Sequence, residues 1–325
     1  MAPTHALAVA ALLAFATSAA AALLTPGGTI PLPNAVGRID HLAADRAKGS
    51  LFVAALGSDR VFVVDLERRT VVHTISGLSQ PQGLWFAPES ERLYVANGGD
   101  GTLRVFAGPA FAAGRVIGLE DDADNIRFDP NGPTLYVGAG DGSLAIVDAN
   151  RNEVVGRIPL GAHPESFQLE RSGDAIFVNL PRTHVVAVVD RRNRKVTARW
   201  PLVSAQANFA MTLDEPAHRV FVGCRAPARL LVYDTASGRE IAALELHADC
   251  DDLFFDAQRH RIYASCGAGW VDVFAQAGAD TYRRLEAVQT APGARTCLLV
   301  GNQLYVAVPR SGERGAYLQV FDLGD

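Results

Sequence analysis

Lysine is nearly missing from this chain: Lys48 and Lys195 are the only two, and all other basic side chains apart from histidine are arginine. With 30 Lys and Arg against 35 Asp and Glu the formal charge is −5, a faintly acidic balance that points to no nucleic-acid partner. Cysteine is sparse. Cys224, Cys250, Cys266 and Cys297 have no C-x-x-C or C-x-x-C-H spacing, so nothing signals a zinc knuckle or a covalent haem. In an oxidising compartment they could pair as disulfides; the other reading is small thiols buried in strands. No G-x-S-x-G elbow is present, which leaves a hydrolase of that type without support. Apolar residues do not recur at helical spacing over the length of a helix, and no run after the N-terminus is long enough to span a membrane.

The first 22 residues, MAPTHALAVAALLAFATSAAAA, read as a secretory signal peptide. An apolar region over 6–16 is followed by small residues ending in Ala20-Ala21-Ala22, an A-x-A-like cleavage site. No Lys or Arg precedes the apolar run, which is short and alanine-rich beside the ~20 strongly apolar residues of a membrane span. The mature chain, 23–325, is therefore expected to be soluble, free of the membrane after cleavage, and periplasmic or secreted.

Turn-forming residues are plentiful, with Gly 30 and Pro 17, and so is apolar surface, at 49% of the chain. Their arrangement repeats. The stretch LYVGAGDGSLAIVD, residues 135–148, is an apolar run, a Gly/Asp turn and a second alternating run ending on Asp, which is a hairpin pattern. Its first strand recurs as LFVAA from Leu51, LYVAN from Leu93, IFVNL from Ile176, VFVGC from Val220, IYASC from Ile262 and LYVAV from Leu304. Successive starts are 42, 42, 41, 44, 42 and 42 residues apart.

Each repeat divides into four short strands, as in the third: NIRFDP, LYVGA, SLAIVDA and VVGRIPL. Four strands per ~40–45 residues make the blade of a β-propeller. The fold class is thus all-β, a seven-bladed β-propeller of four-stranded antiparallel blades forming a single domain over 23–325. The seventh repeat ends without a fourth strand, and GGTIPLP, residues 27–33, is expected to supply it from the N-terminus and remove an open edge. Asp-rich turns such as DLERRT, DANRNE, DRRNRK and DTASGRE join third to fourth strands, where Asp can cap the turn.

The L-Y-V-A-N-type strand at 93–97, the V-V-D-type strand at 63–65 and PQGLWFAP at 81–88 resemble the YVTN-repeat, YncE-like family of exported seven-bladed propellers. The resemblance covers essentially the whole mature chain. It implies the architecture and a binding or structural role, and it carries no catalytic motif. Lactonase-type propellers are a more distant likeness, and none of their catalytic residues can be carried over.

Propeller ligands tend to sit at the axial mouth, where first strands begin and equivalent positions converge. Alignment on the anchor strand puts there Asp40-His41, Gln82-Gly83, Asp124-Asn125, Glu165-Ser166, Phe209-Ala210, Asp251-Asp252 and Arg295-Thr296. A purely structural position would favour one residue type, and these differ from blade to blade. Asp40, His41, Gln82, Asp124, Asn125, Glu165, Asp251, Asp252 and Arg295 are therefore the candidate ligand-binding residues. Preceding loops add Glu120, Asp121, Asp122, His163, His247 and Asp249. Converging carboxylates can bind a cation or raise one another's pKa, whereas solvated acidic loops and strand capping are the structural alternative. Arg295 suits an anion clamp or, better, an ion pair. His41, His163, His184 and His247 share this face without metal-ligand spacing, so no metal site, cofactor or catalytic set is assigned.

The expected function is an exported binding protein or scaffold whose acidic mouth takes a protein or small-molecule ligand, acting as a monomer. Two alternatives stand beside it: a lactonase-like or metal-assisted hydrolase or lyase using the same mouth, and an accessory factor of a periplasmic redox system.

Overall fold

A computed structural model describes residues 22–324, so all but the last residue of the expected signal peptide lies outside the described residues. The chain forms seven four-stranded antiparallel sheets. In chain order blade 1 spans 42–76, blade 2 81–118, blade 3 126–159, blade 4 167–201, blade 5 206–245 and blade 6 250–289; blade 7 combines 297–323 with 24–31. The first strand of each blade touches that of the next, and the last touches the first, which closes a ring about an axis. Two 3-10 turns, Leu56–Ser58 and Pro88–Ser90, are the only helical pieces among the described residues.

The repeated anchor strand is apolar at nearly every position because it is buried on both faces, with Asn97, Asn179 and Ser265 as buried polar exceptions near its inner end. In blade 3, Leu135 and Val137 pack toward blade 2 while Tyr136, between them, packs toward blade 4. Side chains that alternate across a strand are thus divided between neighbouring cores. Seven such wedges of core result, each shared by two adjacent blades. A fully buried Val, Leu, Ile or Phe contributes about 1.5–3 kcal/mol, so blades cohere through their neighbours.

Asp side chains cap the turns between third and fourth strands. Asp65 Oδ1 accepts from the Arg68 amide at 2.8 Å, Asp148 Oδ1 from Asn150 at 2.9 Å and Asp234 Oδ1 from Ser237 at 2.8 Å. The N-terminal strand does complete blade 7, pairing with Tyr317–Leu323, but it runs Leu24–Pro31 and so starts earlier and stops sooner than 27–33. A bulge at Gly28, whose φ is 98°, lets pairing continue back to Leu24, which is buried in the core between blades 6 and 7. Pro26 and Pro31 are tolerated because this is the outer edge strand, where amide donors are not needed.

All four cysteines are free buried thiols. Cys250 and Cys266 stand directly opposite each other on adjacent strands of blade 6. Burial pushes the Cys224 thiol up to about 12. Trp85 stacks on Phe128 and Trp200 on Tyr233, at centroid distances of 5.8 and 6.0 Å, so each packs one blade against the next.

Candidate functional site

A β-bulge sits under the variable pairs. In blade 1 the Asp40 amide donates to Ala54 O at 2.7 Å and the Ala54 amide to His41 O at 3.1 Å, so two residues oppose one. The same arrangement sets Asp124 and Asn125 against Gly138, and Glu165 and Ser166 against Asn179. Register shifts put the extra residue at the equivalent place in blades 2, 5 and 6, between Pro81 and Leu84, Asn208 and Ala210, and Cys250 and Asp252. Bulges re-aim side chains and recur beside functional sites. The backbone is close-packed there: a Cβ on Gly83 would stand 2.1 Å from the Asp124 carbonyl oxygen.

Charges from distant blades meet at this end. Arg38 Nη2 lies 2.8 Å from Asp40 Oδ2 and 3.7 Å from Asp251 Oδ2, which joins the approach to blade 1 with blade 6. His41 Nδ1 is 3.2 Å from Asp252 Oδ1, and Asp252 Oδ2 accepts from the Cys297 amide at 2.9 Å. Arg225 pairs with Asp251 while lying 3.6 Å over the Phe209 ring. On the other side Gln82 Nε2 donates to Asp122 Oδ1 at 2.8 Å, and Asp122 Oδ2 is 3.9 Å from His163 Nε2. Donor atoms of Asp124, His163 and Glu165 all lie within 4.8 Å of one another.

Several of these groups have polar atoms buried without a hydrogen-bond partner in the protein: both Asp40 oxygens, Asp124 Oδ1, Asn125 Oδ1 and Asp251 Oδ2. Such atoms are costly to leave unmet and are uncommon in native folds. Burial raises the Asp124 carboxyl to about 7, with Asp40 and Asp122 adding and His41 opposing. Burial likewise lifts Glu165 to about 9, reinforced by Asp124 and Asp251. His41 goes up for another reason: burial opposes its charge, but Asp252 and Asp40 outweigh burial and hold it at about 10. Burial lowers the His163 imidazole, which keeps that ring neutral. At neutral pH the mouth therefore offers a protonated Glu165, a cationic His41 and a neutral His163.

The expected residues fall into two groups. Asp40, His41, Asp251 and Asp252 are drawn together through Arg38 and Arg225. Asp124 and Glu165 form the second group with His163, and Gln82 supports it through Asp122. Asn125 is buried beside Asp124. Arg295 pairs with Asp249 at 3.0 Å, and Asp249 in turn lies 3.4 Å from Arg225 Nε, so Arg295 joins the first group at its edge. Arg38 and Arg225 were not legible as members. Arg225 had a signal, since it is the one charged residue at the sixth position of the seven anchor strands.

Other features resolve as structure. NGGDGT is a hairpin turn in which Thr102 Oγ1 donates to Asp100 Oδ1 at 2.6 Å. His247 is held by Asp272 at 2.8 Å and stacks on Trp270, away from the cluster. A broad depression of ≈ 780 Å³ lies on the opposite face, lined in part by Glu170, Arg171, Glu215 and His218. Its Glu215 carboxylate already accepts from the Arg171 and Ser172 amides, so that wall is a satisfied turn.

No family model matches the sequence, and no curated protein matches it. Solved structures do match in shape. Hydrazine synthase of Kuenenia stuttgartiensis aligns with a TM-score of 0.73 at 16% identity, over 86% of this chain and 95% of that one. A chain of the mitotic checkpoint complex aligns with a TM-score of 0.77 at 13% identity, over 97% of this chain and 99% of that one. At such identities the likeness establishes the fold, and the chain is a seven-bladed β-propeller.

Proposed function

We propose that this chain is a binding propeller that seats a cationic group of a ligand or partner in its axial mouth. One observation carries the reading: three buried carboxylates converge on bulges with too few cations to serve them, Asp40 and Asp251 sharing Arg38 while Asp124 Oδ1 has no hydrogen-bond partner in the protein. A ligand bearing ammonium, guanidinium or metal charge would supply what those oxygens lack. The checkpoint-complex neighbour belongs to a multiprotein assembly, which is consistent with a propeller ring serving as a protein-binding scaffold. Membership of the YVTN-repeat, YncE-like family belongs to the same proposal, supported by the L-Y-V-A-N-type strands.

Export to the periplasm or beyond is part of the proposal. The Leu23 amide lies 3.0 Å from Glu286 Oε2, so cleavage after Ala22 would create an α-ammonium already facing a carboxylate. Cleavage there also leaves the closing strand, which starts at Leu24, intact.

The test is a thermal-shift series with spermidine, arginine amide and a basic peptide on wild-type protein and Asp251→Asn. Stabilisation by at least one probe, lost in the variant, is expected. No shift with any probe, or equal shifts in both proteins, refutes the reading. A hydrolase is the second reading, favoured by the raised Glu165 and Asp124 carboxyls, which suit general acid–base work. Turnover of a lactone or ester panel that vanishes in Glu165→Gln would establish it instead. The redox-accessory role has no residue set that speaks for it.

A further inference from the structure

We propose that Asp124, His163 and Glu165 form a site for a divalent transition-metal ion of the zinc class, at the mouth between blades 3 and 4. This deepens the cationic-ligand reading and rests on it. Zinc-site bonds of about 2.0–2.2 Å set the donors of a tetrahedral shell roughly 3.4 Å apart. The three donors here lie within 4.8 Å of one another, so small side-chain rotations close them on one ion.

The second observation is independent of this clustering. Asp124 is only 5% exposed, yet its Oδ1 has no hydrogen-bond partner in the protein. Its backbone cannot retreat to relieve that: its amide is bonded to Gly138 O at 3.0 Å, and its carbonyl lies against Gly83. A bound cation would meet that oxygen directly and would displace the proton that the Glu165 carboxyl beside it otherwise holds. Arg38 and Arg225 are engaged with Asp40 and Asp251.

The donor set decides the class of ion. Calcium and magnesium prefer oxygen donors alone, whereas one imidazole with two carboxylates suits zinc, manganese, iron(II) or nickel. A surrounding shell is also present. Asp122, held by Gln82, stands 3.9 Å from His163 Nε2, a carboxylate placed to orient the imidazole. Three protein donors leave at least one coordination position facing the mouth, where a ligand donor atom would bind.

Isothermal titration of chelator-treated full-length protein with zinc chloride tests the site, with metal content measured after gel filtration. One equivalent of zinc is expected to bind and to survive a large excess of magnesium or calcium. His163→Asn and Glu165→Gln are expected to weaken binding by roughly a hundredfold, while His218→Asn, on the opposite face, leaves it nearly unchanged. Cobalt(II) provides a readout on the unmutated protein: an intense visible band typical of four- or five-coordination is expected. Absence of stoichiometric zinc in the wild type, zinc binding indifferent to His163→Asn, or only weak octahedral cobalt absorption overturns the proposal. If zinc fails while spermidine, arginine amide or the basic peptide still shifts the melting of wild type and not of Asp251→Asn, the metal site falls and the binding mouth stands. If all fail, both fall.

Discussion

Raising the pH should loosen this ring from its axial end. His41 reaches from blade 1 past the inner end of blade 7 to Asp252 of blade 6, at 3.2 Å. Its imidazole is held at about 10 against an ordinary 6.5. A group whose folded pKa is raised stabilises fully below its unfolded value, and that contribution is lost as pH climbs through the folded one. The window thus runs from 6.5 to about 10. One proton held by the folded state and absent from the unfolded chain changes stability by about 1.4 kcal/mol per pH unit. Across two units in the middle of the window the loss is on the order of 2–3 kcal/mol. Glu165, lifted to about 9, and Asp124, lifted to about 7, act in the same direction, because the folded state must surrender protons that it holds more tightly than the unfolded chain does. Urea unfolding of chelator-treated protein at fixed ionic strength measures the slope. His41→Gln should be less stable near neutrality and should show a shallower decline by about one proton. Stability that is flat or rising from neutrality toward pH 9, or an unchanged slope in His41→Gln, would refute the reasoning.

Three further outcomes follow from packing. Gly83→Ala drives a Cβ to within 2.1 Å of the Asp124 carbonyl oxygen. Both sides are backbone, so a cost of about 1–3 kcal/mol or more is expected in thermal melts; a wild-type melting temperature would mean that the bulge is free to shift. Asn179→Ala strips the donor that serves Phe209 O and Ala210 O at 3.1 and 3.0 Å and the acceptor for Asn208 Nδ2 at 2.8 Å. About 2–3 kcal/mol should be lost on chemical denaturation, and a loss below half that would show that water replaces the amide. Ellman's reagent should find none of the four buried thiols in the folded protein and all of them in denaturant. Recovery of only two after unfolding would reveal a disulfide, for which the facing pair Cys250 and Cys266 is placed.

The ring was legible because its cause is local and repeated. An anchor strand buried on both faces is mostly apolar, and the spacing of its copies counted the blades. The closing strand is legible from the missing fourth strand of the seventh repeat, but Pro26 hides its first residues, since proline reads as a break anywhere except on an outer edge. At the mouth, variability singled out positions that the fold gathers at one end, while composition could not say which would meet. Asp124 and Glu165 converge because bulges re-aim them, and a bulge has no marker in these sequences. Arg295 reaches the Arg225–Asp251 pair only through Asp249, a link between blades that no local pattern shows. His163 was visible only as a loop residue, because its partnership with Asp124 and Glu165 is made across two blades.

Of the described strands Leu24–Pro31 comes first in the chain, and the strand it pairs with, Tyr317–Leu323, comes last. Leu24 cannot meet Leu323 until almost the whole chain has been made. Closing that loop carries the largest entropic cost of any blade, although the cost grows only slowly with length. Until it closes, Tyr317–Leu323 presents an open edge that another chain could occupy. After it closes, no blade is terminal, so the array needs none of the capping repeats that open solenoids carry. The ring then behaves as one cooperative body with a single seam, and that seam is where unfolding, strand exchange between molecules, or a designed circular permutation would begin.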